Sequence, residues 1–326
     1  MSYKCRTHLL QYMAAFLACV FFASCSQDEL ADNGQGTLLP IGQYPLELTA
    51  ANLNESVATP AKAATRGTVD GNWEGARSVA VRVNGKVKEY VVDSYTAGSA
   101  KLTCPDITEA DTDFWWTKNG EKKAVDAWYP YYDTLPTEWP IENTQTAETL
   151  AAQDLMYGCA LDMTQTNPTI KFKHQLAKVE INLVNSDYLK SASEVNVSLD
   201  GQYKTGELEV YPNGTSYFHG KFGEASNSTI IPCKLSSPNH DYYASYQALV
   251  IPLDMEAAKK SNLNVIVDGV TYRCKLKNHS GYVIHLQSGY LYTFNITVKE
   301  HGLDVKVSES IGWGEGNTGN GEVELP

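Results

Sequence analysis

The chain is short of positive charge: Lys and Arg number 26 against 38 Asp and Glu, a net charge of −12 over 326 residues. A protein that binds nucleic acid needs the opposite surplus to neutralise phosphates, so nucleic acid and other polyanions are excluded as partners. With 24 Gly and 13 Pro it lacks the composition of a collagen-like or low-complexity chain. Helical periodicity is weak throughout, and only residues 147–156 and 254–260 hold it long enough for a short helix. There is no GxxxxGKS/T, GxSxG or HExxH, and no CxxC among the cysteines. Residues 314–319 match GxGxxG, but only seven residues remain for the helix that motif needs. His174, His219, His240, His279, His285 and His301 are scattered without metal-ligand spacing. Glycosidase carboxylates can lie far apart and leave no motif, but nothing points to such a pair here. No catalytic residue, cofactor or metal site is expected, and the chain reads as non-enzymatic.

What is present begins with a signal. Lys4 and Arg6 precede an almost wholly apolar run over residues 9–22, too short to span a bilayer comfortably. The run closes on Phe22-Ala23-Ser24-Cys25, which resembles a lipobox; cleavage between Ser24 and Cys25 would leave an acylated Cys25 as the mature N-terminus. Cys19 is the weaker alternative. Ser26-Gln27-Asp28-Glu29 resembles the acidic tetrad that sends Bacteroidetes lipoproteins to the outer face of the outer membrane, so a lipid-anchored, surface-exposed precursor is expected. Of the remaining cysteines, Cys104, Cys159, Cys233 and Cys274 admit either two disulfides or buried free thiols.

Residues 25–43 read as a tether, and residues 44–50 contain a short alternating strand. Residues 51–65 are Ala, Thr, Asn and Ser without period, an exposed loop that ends in Thr65-Arg66-Gly67. Arg66 there is an open site for a trypsin-like protease, with Arg77 as second choice. From residue 77 on, strand follows turn, beginning with two alternating runs joined by Asn84-Gly85 and including a later turn at Asp268-Gly269. Strands are expected at 114–117, 124–129, 169–174, 176–184, 194–199, 206–211, 216–219, 246–251, 263–267, 270–276, 282–286, 290–298 and 303–308. The fold class is therefore all-β, two sandwiches of about seven strands, divided near Thr166-Asn167-Pro168 into residues 44–168 and 169–326. The aromatic run Phe114-Trp115-Trp116 … Trp128-Tyr129-Pro130-Tyr131-Tyr132 … Trp139 reads as inter-sheet core, or alternatively as a sugar-stacking platform on an anchored glycan-binding lipoprotein.

Several separated pieces together resemble the fimbrillin family, the lipoprotein precursors of type V pili in Bacteroidetes. They are Cys25, the strand at 45–50, Thr65-Arg66, Trp116 with Val125-Asp126-Ala127-Trp128-Tyr129-Pro130, Asp154-Leu155-Met156-Tyr157, Phe172-Lys173-His174-Gln175-Leu176-Ala177-Lys178-Val179, Ala248-Leu249-Val250-Ile251-Pro252, and residues 292–298 running to Ile311-Gly312-Trp313. The resemblance implies two transthyretin-like sandwiches. It also implies a surface protease that cuts after Arg66, releasing 25–66, and polymerisation by strand exchange with other pilus subunits. The donor would come from the C-terminus, where residues 303–307 and 322–325 both alternate apolar with charged residues. Implied partners are other pilus subunits, the outer membrane through lipid on Cys25, and surface ligands of host or bacterial cells. The implied location is the outer membrane, then the fimbrium after maturation. Asp133-Thr134-Leu135 resembles a Bacteroidetes O-glycosylation sequon.

Overall fold

The computed structural model describes residues 44–52, 73, 78–96, 99–236, 238–277, 282–311 and 322–324. In the first half the strands are β1 (Tyr44–Pro45), β2 (Leu48–Asn52), β3 (Ser78–Val83), β4 (Lys86–Thr96), β5 (Ser99–Thr103), β6 (Trp115–Trp116), β7 (Lys123–Tyr129), β8 (Glu138–Pro140), β9 (Met156–Met163) and β10 (Thr169–His174). After them come β11 (Ala177–Val184), β12 (Val195–Gln202), β13 (Thr205–Val210), β14 (Ser216–Gly220), β15 (Ser228–Ile230), β16 (Cys233–Lys234), β17 (Tyr242–Val250), β18 (Asn262–Val267), β19 (Val270–Lys275), β20 (Tyr290–Lys299), β21 (Gly302–Ile311) and β22 (Glu322–Glu324). Three short helices interrupt them: α1 (Ala147–Gln153), α2 (Asp187–Ser191) and α3 (Met255–Lys260). The chain is thus all-β.

Local chemistry accounts for the punctuation. Asn84 and Gly85 have φ of 49° and 79°, and Asp268 and Gly269 have 45° and 82°. These are the left-handed conformations that two-residue hairpin loops require and that Asn, Asp and Gly adopt at least cost. α1 begins at Thr146 with a reciprocal box to Thr149, and α3 begins at Asp254, whose carboxylate accepts the Ala257 N–H.

The first half is a closed barrel in the order β10-β2-β5-β4-β3-β7-β9, not the expected open sandwich. Its interior holds Leu48, Val79, Val81, Tyr90, Leu102, Val125, Ala127, Ile170 and Phe172, all buried. The second half packs the six-stranded sheet β16-β17-β11-β20-β21-β22 against the four-stranded β15-β12-β18-β19, more strands than the seven expected. Val179, Ile181, Phe294 and Ile296 from one sheet meet Val197, Leu199, Leu263 and Val265 from the other in one core.

The strand that follows Pro168, where the second half was expected to begin, pairs within the barrel. β10 closes the barrel against β2 and β9, so the crossover comes after His174. In the other direction, β8 pairs with β13, and Trp139, Ile141 and Leu150 pack into the second core. The Asn-Pro sequence is a turn inside the barrel, because the residues after it keep one-face alternation: Ile170, Phe172 and His174 point inward.

Two further differences have physical reasons. β9 went unanticipated because its Gly158 and Cys159 give no strand signal. Gly158 is there because a Cβ would sit 2.5 Å from the Lys171 carbonyl of β10. Residues 282–286 form no strand: Val283 makes a single bridge to Lys277. All four described cysteines are free thiols, so the disulfide alternative does not hold.

Candidate assembly site at the first strand

Residues 44–52 are a short piece of chain on which the closure of the barrel depends. Leu46 and Leu48 are buried and Ala50 wholly so, while Glu47 faces out and meets Lys101 at 3.0 Å. Period-two alternation puts the apolar residues on one face. Around them lie Tyr90, Leu102, Phe114, Trp116 and Phe172, all buried in the same core.

The backbone is held from both sides. Leu48 and Ala50 pair antiparallel with Leu102 and Ala100 of β5. Residues 49–52 pair in parallel with 169–172 of β10, and the Thr49 N–H donates to the Pro168 carbonyl at 2.9 Å. β1 pairs with β6, placing Tyr44 against Trp116. Between the two strands, the Leu46 N–H donates to the Phe114 carbonyl and the Leu46 carbonyl accepts from the Tyr90 hydroxyl, each at 2.8 Å. Burial, aided by nearby Cys104 and Glu47, pushes the Tyr90 phenol well up, so it stays a donor throughout the physiological range. The loop leading to Phe114 is itself fixed: Asp111 accepts from Lys88 at 2.8 Å and from the Thr108 N–H at 2.9 Å. These bonds hold its carboxyl down at about 2.

This geometry makes a state-dependent prediction for Tyr90→Phe. In the intact chain the change leaves the buried Leu46 carbonyl short of a donor and should cost about 1–2 kcal/mol. Once residues 44–52 are gone the hydroxyl is the group without a partner, and the same substitution should be neutral or stabilising. Urea unfolding of both forms, with and without the substitution, checks it.

Trp73 stands in the same core, fully buried and edge-to-face with Phe172 at a centroid distance of 5.2 Å. Neither Trp73 nor Tyr90 was singled out from sequence. The signal for Trp73 is a lone tryptophan in the polar stretch Val69-Asp70-Gly71-Asn72-Trp73. The expected processing residues Ser24, Cys25, Arg66, Gly67 and Arg77 lie outside the described residues.

Most of the aromatic run is core, as expected: Phe114, Trp116, Trp128, Tyr129 and Trp139 are buried and offer no face to a sugar, while Trp115 and Tyr131 are half-buried and Tyr132 is exposed. Trp128 is covered by Arg82, whose guanidinium lies 5.4 Å from the ring centroid while donating twice to Asp126. The two donor candidates differ in their setting. Residues 303–307 lie inside β21, paired with β20 throughout and with β22 over 304–306, with Leu303 and Val305 in the core. β22 pairs on one side only, Val323 opposite Val305.

A family model described as fimbrillin-like matches residues 65–313. Among solved structures, a candidate cell adhesion protein from Bacteroides uniformis is similar at 16% identity, over 83% of this chain and 98% of that one, with a TM-score of 0.58. A second, from Bacteroides ovatus, is similar at 18% identity, over 85% of this chain and 100% of that one, with a TM-score of 0.57. At these identities the likeness is one of fold. No curated protein matches the chain significantly.

Proposed function

The chain belongs to the fimbrillin-like family, and from that premise we propose that it is a pilus subunit or adhesin, exported as a lipoprotein on Cys25 and assembled by strand exchange after a cut at Arg66. The role is structural and adhesive, at the cell surface, in association with other pilus subunits. The observation that carries the exchange reading is the place of β2 between β5 and β10. Losing residues 44–52 opens the barrel, bares two rows of backbone donors and acceptors, and empties the space of Leu46 and Leu48. An open edge of that kind recruits a strand from another chain. β22, held on one side, is the donor that leaves at least disruption behind, whereas drawing out residues 303–307 would dismantle the second core. Until the cut, the chain fills its own gap and stays monomeric.

Trp73 distinguishes the two cleavage sites. A cut after Arg66 keeps this buried ring in the barrel, while a cut after Arg77 removes it together with the strand. Arg66 is therefore the site that leaves an open but otherwise complete acceptor. Treating the chain with a trypsin-like protease should yield an N-terminus at Gly67 and ladders that resist mild SDS. Arg66→Ala should stay monomeric and Arg77→Ala should behave as the unaltered chain. Monomers alone, with the cut at Gly67 verified by mass spectrometry, would sink the exchange reading.

A further inference from the structure

In the second half, a cleft of about 900 Å³ lies between β14, the start of α3 and residues 285–290. One wall of it is an open strand edge. β14 pairs with β13 alone, and no residue of β13 lines the cleft, so the cleft runs along the side of β14 that β13 leaves open. At the two ends of that pairing the Tyr211 N–H donates to the Thr215 carbonyl and the Lys221 N–H to the Thr205 carbonyl, each at 2.9 Å. Bonding alternates along an antiparallel pair. Tyr217 and His219 therefore turn their main-chain groups to β13, and Ser216, Phe218 and Gly220 turn theirs to the cleft. The Gly220 carbonyl accepts from His219 Nδ1 at 2.8 Å. The Ser216 and Phe218 N–H and C=O groups and the Gly220 N–H bond to none of the described residues.

A sheet edge is ordinarily blunted against pairing. Among the described strands that end a sheet, β14 and β19 are the ones of five residues or more. β19 carries Arg273 and Lys275, whereas β14, Ser-Tyr-Phe-His-Gly, has no Lys, Arg or Pro to keep another strand away. Its setting is fixed at both ends. The Ser216 hydroxyl donates to Gln175 Oε1 at 3.0 Å, and Gln175 Nε2 donates to the Lys173 carbonyl at 2.7 Å. At the other end the Tyr203 ring lies so close over Gly220 that a Cβ there would sit 2.4 Å from it, and the Tyr203 hydroxyl donates to Asp254 at 2.9 Å. Most charges of the lining are matched: Lys221 pairs with Glu138 at 2.7 Å, Asp254 caps α3, and Glu224 accepts the Lys204 N–H at 3.1 Å. The Lys173 ammonium pairs with none of the described residues. Its side chain reaches solvent, yet partial burial in the cleft draws its pKa below the usual ammonium value, and a carboxylate set against it would favour the charged form.

We propose that β14 takes on an extended segment of a second protein as an added strand, with one carboxylate of that segment on Lys173. The open donors and acceptors recur every second residue, about 7 Å apart, which is the repeat of an extended main chain. A partner's strand satisfies them in a single ladder. The segment is otherwise uncharged, because the chain carries a net charge of −12 and the Gly220 end of the cleft holds Asp254 and Glu224 beside Tyr203. Residues 322–325 of this chain, with Glu322 and Glu324, would bring a second carboxylate with no cation to meet it, so another copy's C-terminal strand is the poorer fit. The site lies apart from the seat of β2, and neither depends on the other.

Amide hydrogen exchange followed by NMR on the uncut full chain tests it. Without ligand, the Ser216 and Phe218 amides should exchange faster than those of Tyr217 and His219, which β13 protects. The probes are capped seven-residue peptides of alternating Thr and Val with a single Asp placed at each position in turn. At least one should slow the Ser216 and Phe218 amides about tenfold or more, and methylating that peptide's bonding amides should abolish the effect. Exchanging its Asp for Asn, or Lys173→Gln in the chain, should each weaken binding about tenfold, and both together no further than either alone. Thermal unfolding of the Lys173→Gln chain should match that of the unaltered one. Slow Ser216 and Phe218 amides without ligand, no slowing by any probe, binding that survives methylation, equal binding of the Asp and Asn peptides, or tighter binding of a peptide of residues 320–326 would overturn it. None of these results would bear on the protease-triggered ladders, which are measured separately.

Discussion

A chain that begins at Gly67 will unfold at a much lower denaturant concentration than the intact one, and a synthetic peptide of residues 44–52 will restore part of the difference. The size follows from the contacts. Burying Leu46 and Leu48 is worth about 1.5–3 kcal/mol each. The Tyr90 hydroxyl and the Phe114 carbonyl, left without partners, add about 1–3 kcal/mol each. The total, roughly 5–12 kcal/mol, is of the order of a whole domain's stability of about 5–15 kcal/mol. An open barrel therefore sits near its unfolding limit, which is why it should seek a replacement strand. Peptide at a hundredfold excess over its dissociation constant should return about 2.7 kcal/mol. A control peptide with Asp at both leucine positions should return nothing. An unchanged midpoint, or equal rescue by the control, would show that the first strand is dispensable to the barrel.

Trp73→Ala should cost about 3–5 kcal/mol, the usual range for deleting a buried aromatic, and Trp73→Phe considerably less. The indole is fully buried and packs edge-to-face with Phe172 on β10, the strand that borders β2. Loss of the ring thus loosens one wall of the same slot, and the alanine variant should also bind the 44–52 peptide more weakly. Equilibrium unfolding measures the first effect and fluorescence anisotropy of a labelled peptide the second. A midpoint within a few tenths of a kcal/mol of the unaltered chain would place Trp73 outside the core.

Local signals carried most of the secondary structure. The Asn84-Gly85 and Asp268-Gly269 loops and the alternation of β3, β11 and β20 are written in neighbouring residues, and each is where it was expected. What was not legible depends on partners far away in the chain. Gly158 weakens β9 as a local pattern, and its purpose appears only when the Lys171 carbonyl is set against it. The allocation of β10 to the barrel and of β8 to the second half follows from pairings with β2 and β13, which no periodicity reveals. The first strand was recognisable from its alternation, whereas Tyr90 and Trp73 were not. A tyrosine among charged residues and a tryptophan in a polar loop look exposed until the barrel closes over them. Phe222 is the reverse case: an aromatic that composition would assign to a core, held out in water by its turn.

The neighbours of β2 have a bearing on polarity. β2 runs antiparallel to β5 and parallel to β10, so β5 and β10 run opposite to one another. A strand entering between them finds one parallel and one antiparallel neighbour whichever end it leads with, and the backbone ladder alone does not choose. Side-chain volume does. The slot is broad where Leu48 faces Leu102 and narrow where Ala50 faces Ala100. A donor reversed in the slot would force a large residue into the alanine end, an overpacking that costs about 1–3 kcal/mol. In a head-to-tail contact of this kind, which leaves one end accepting and the other donating, that taper would set the direction in which a filament grows.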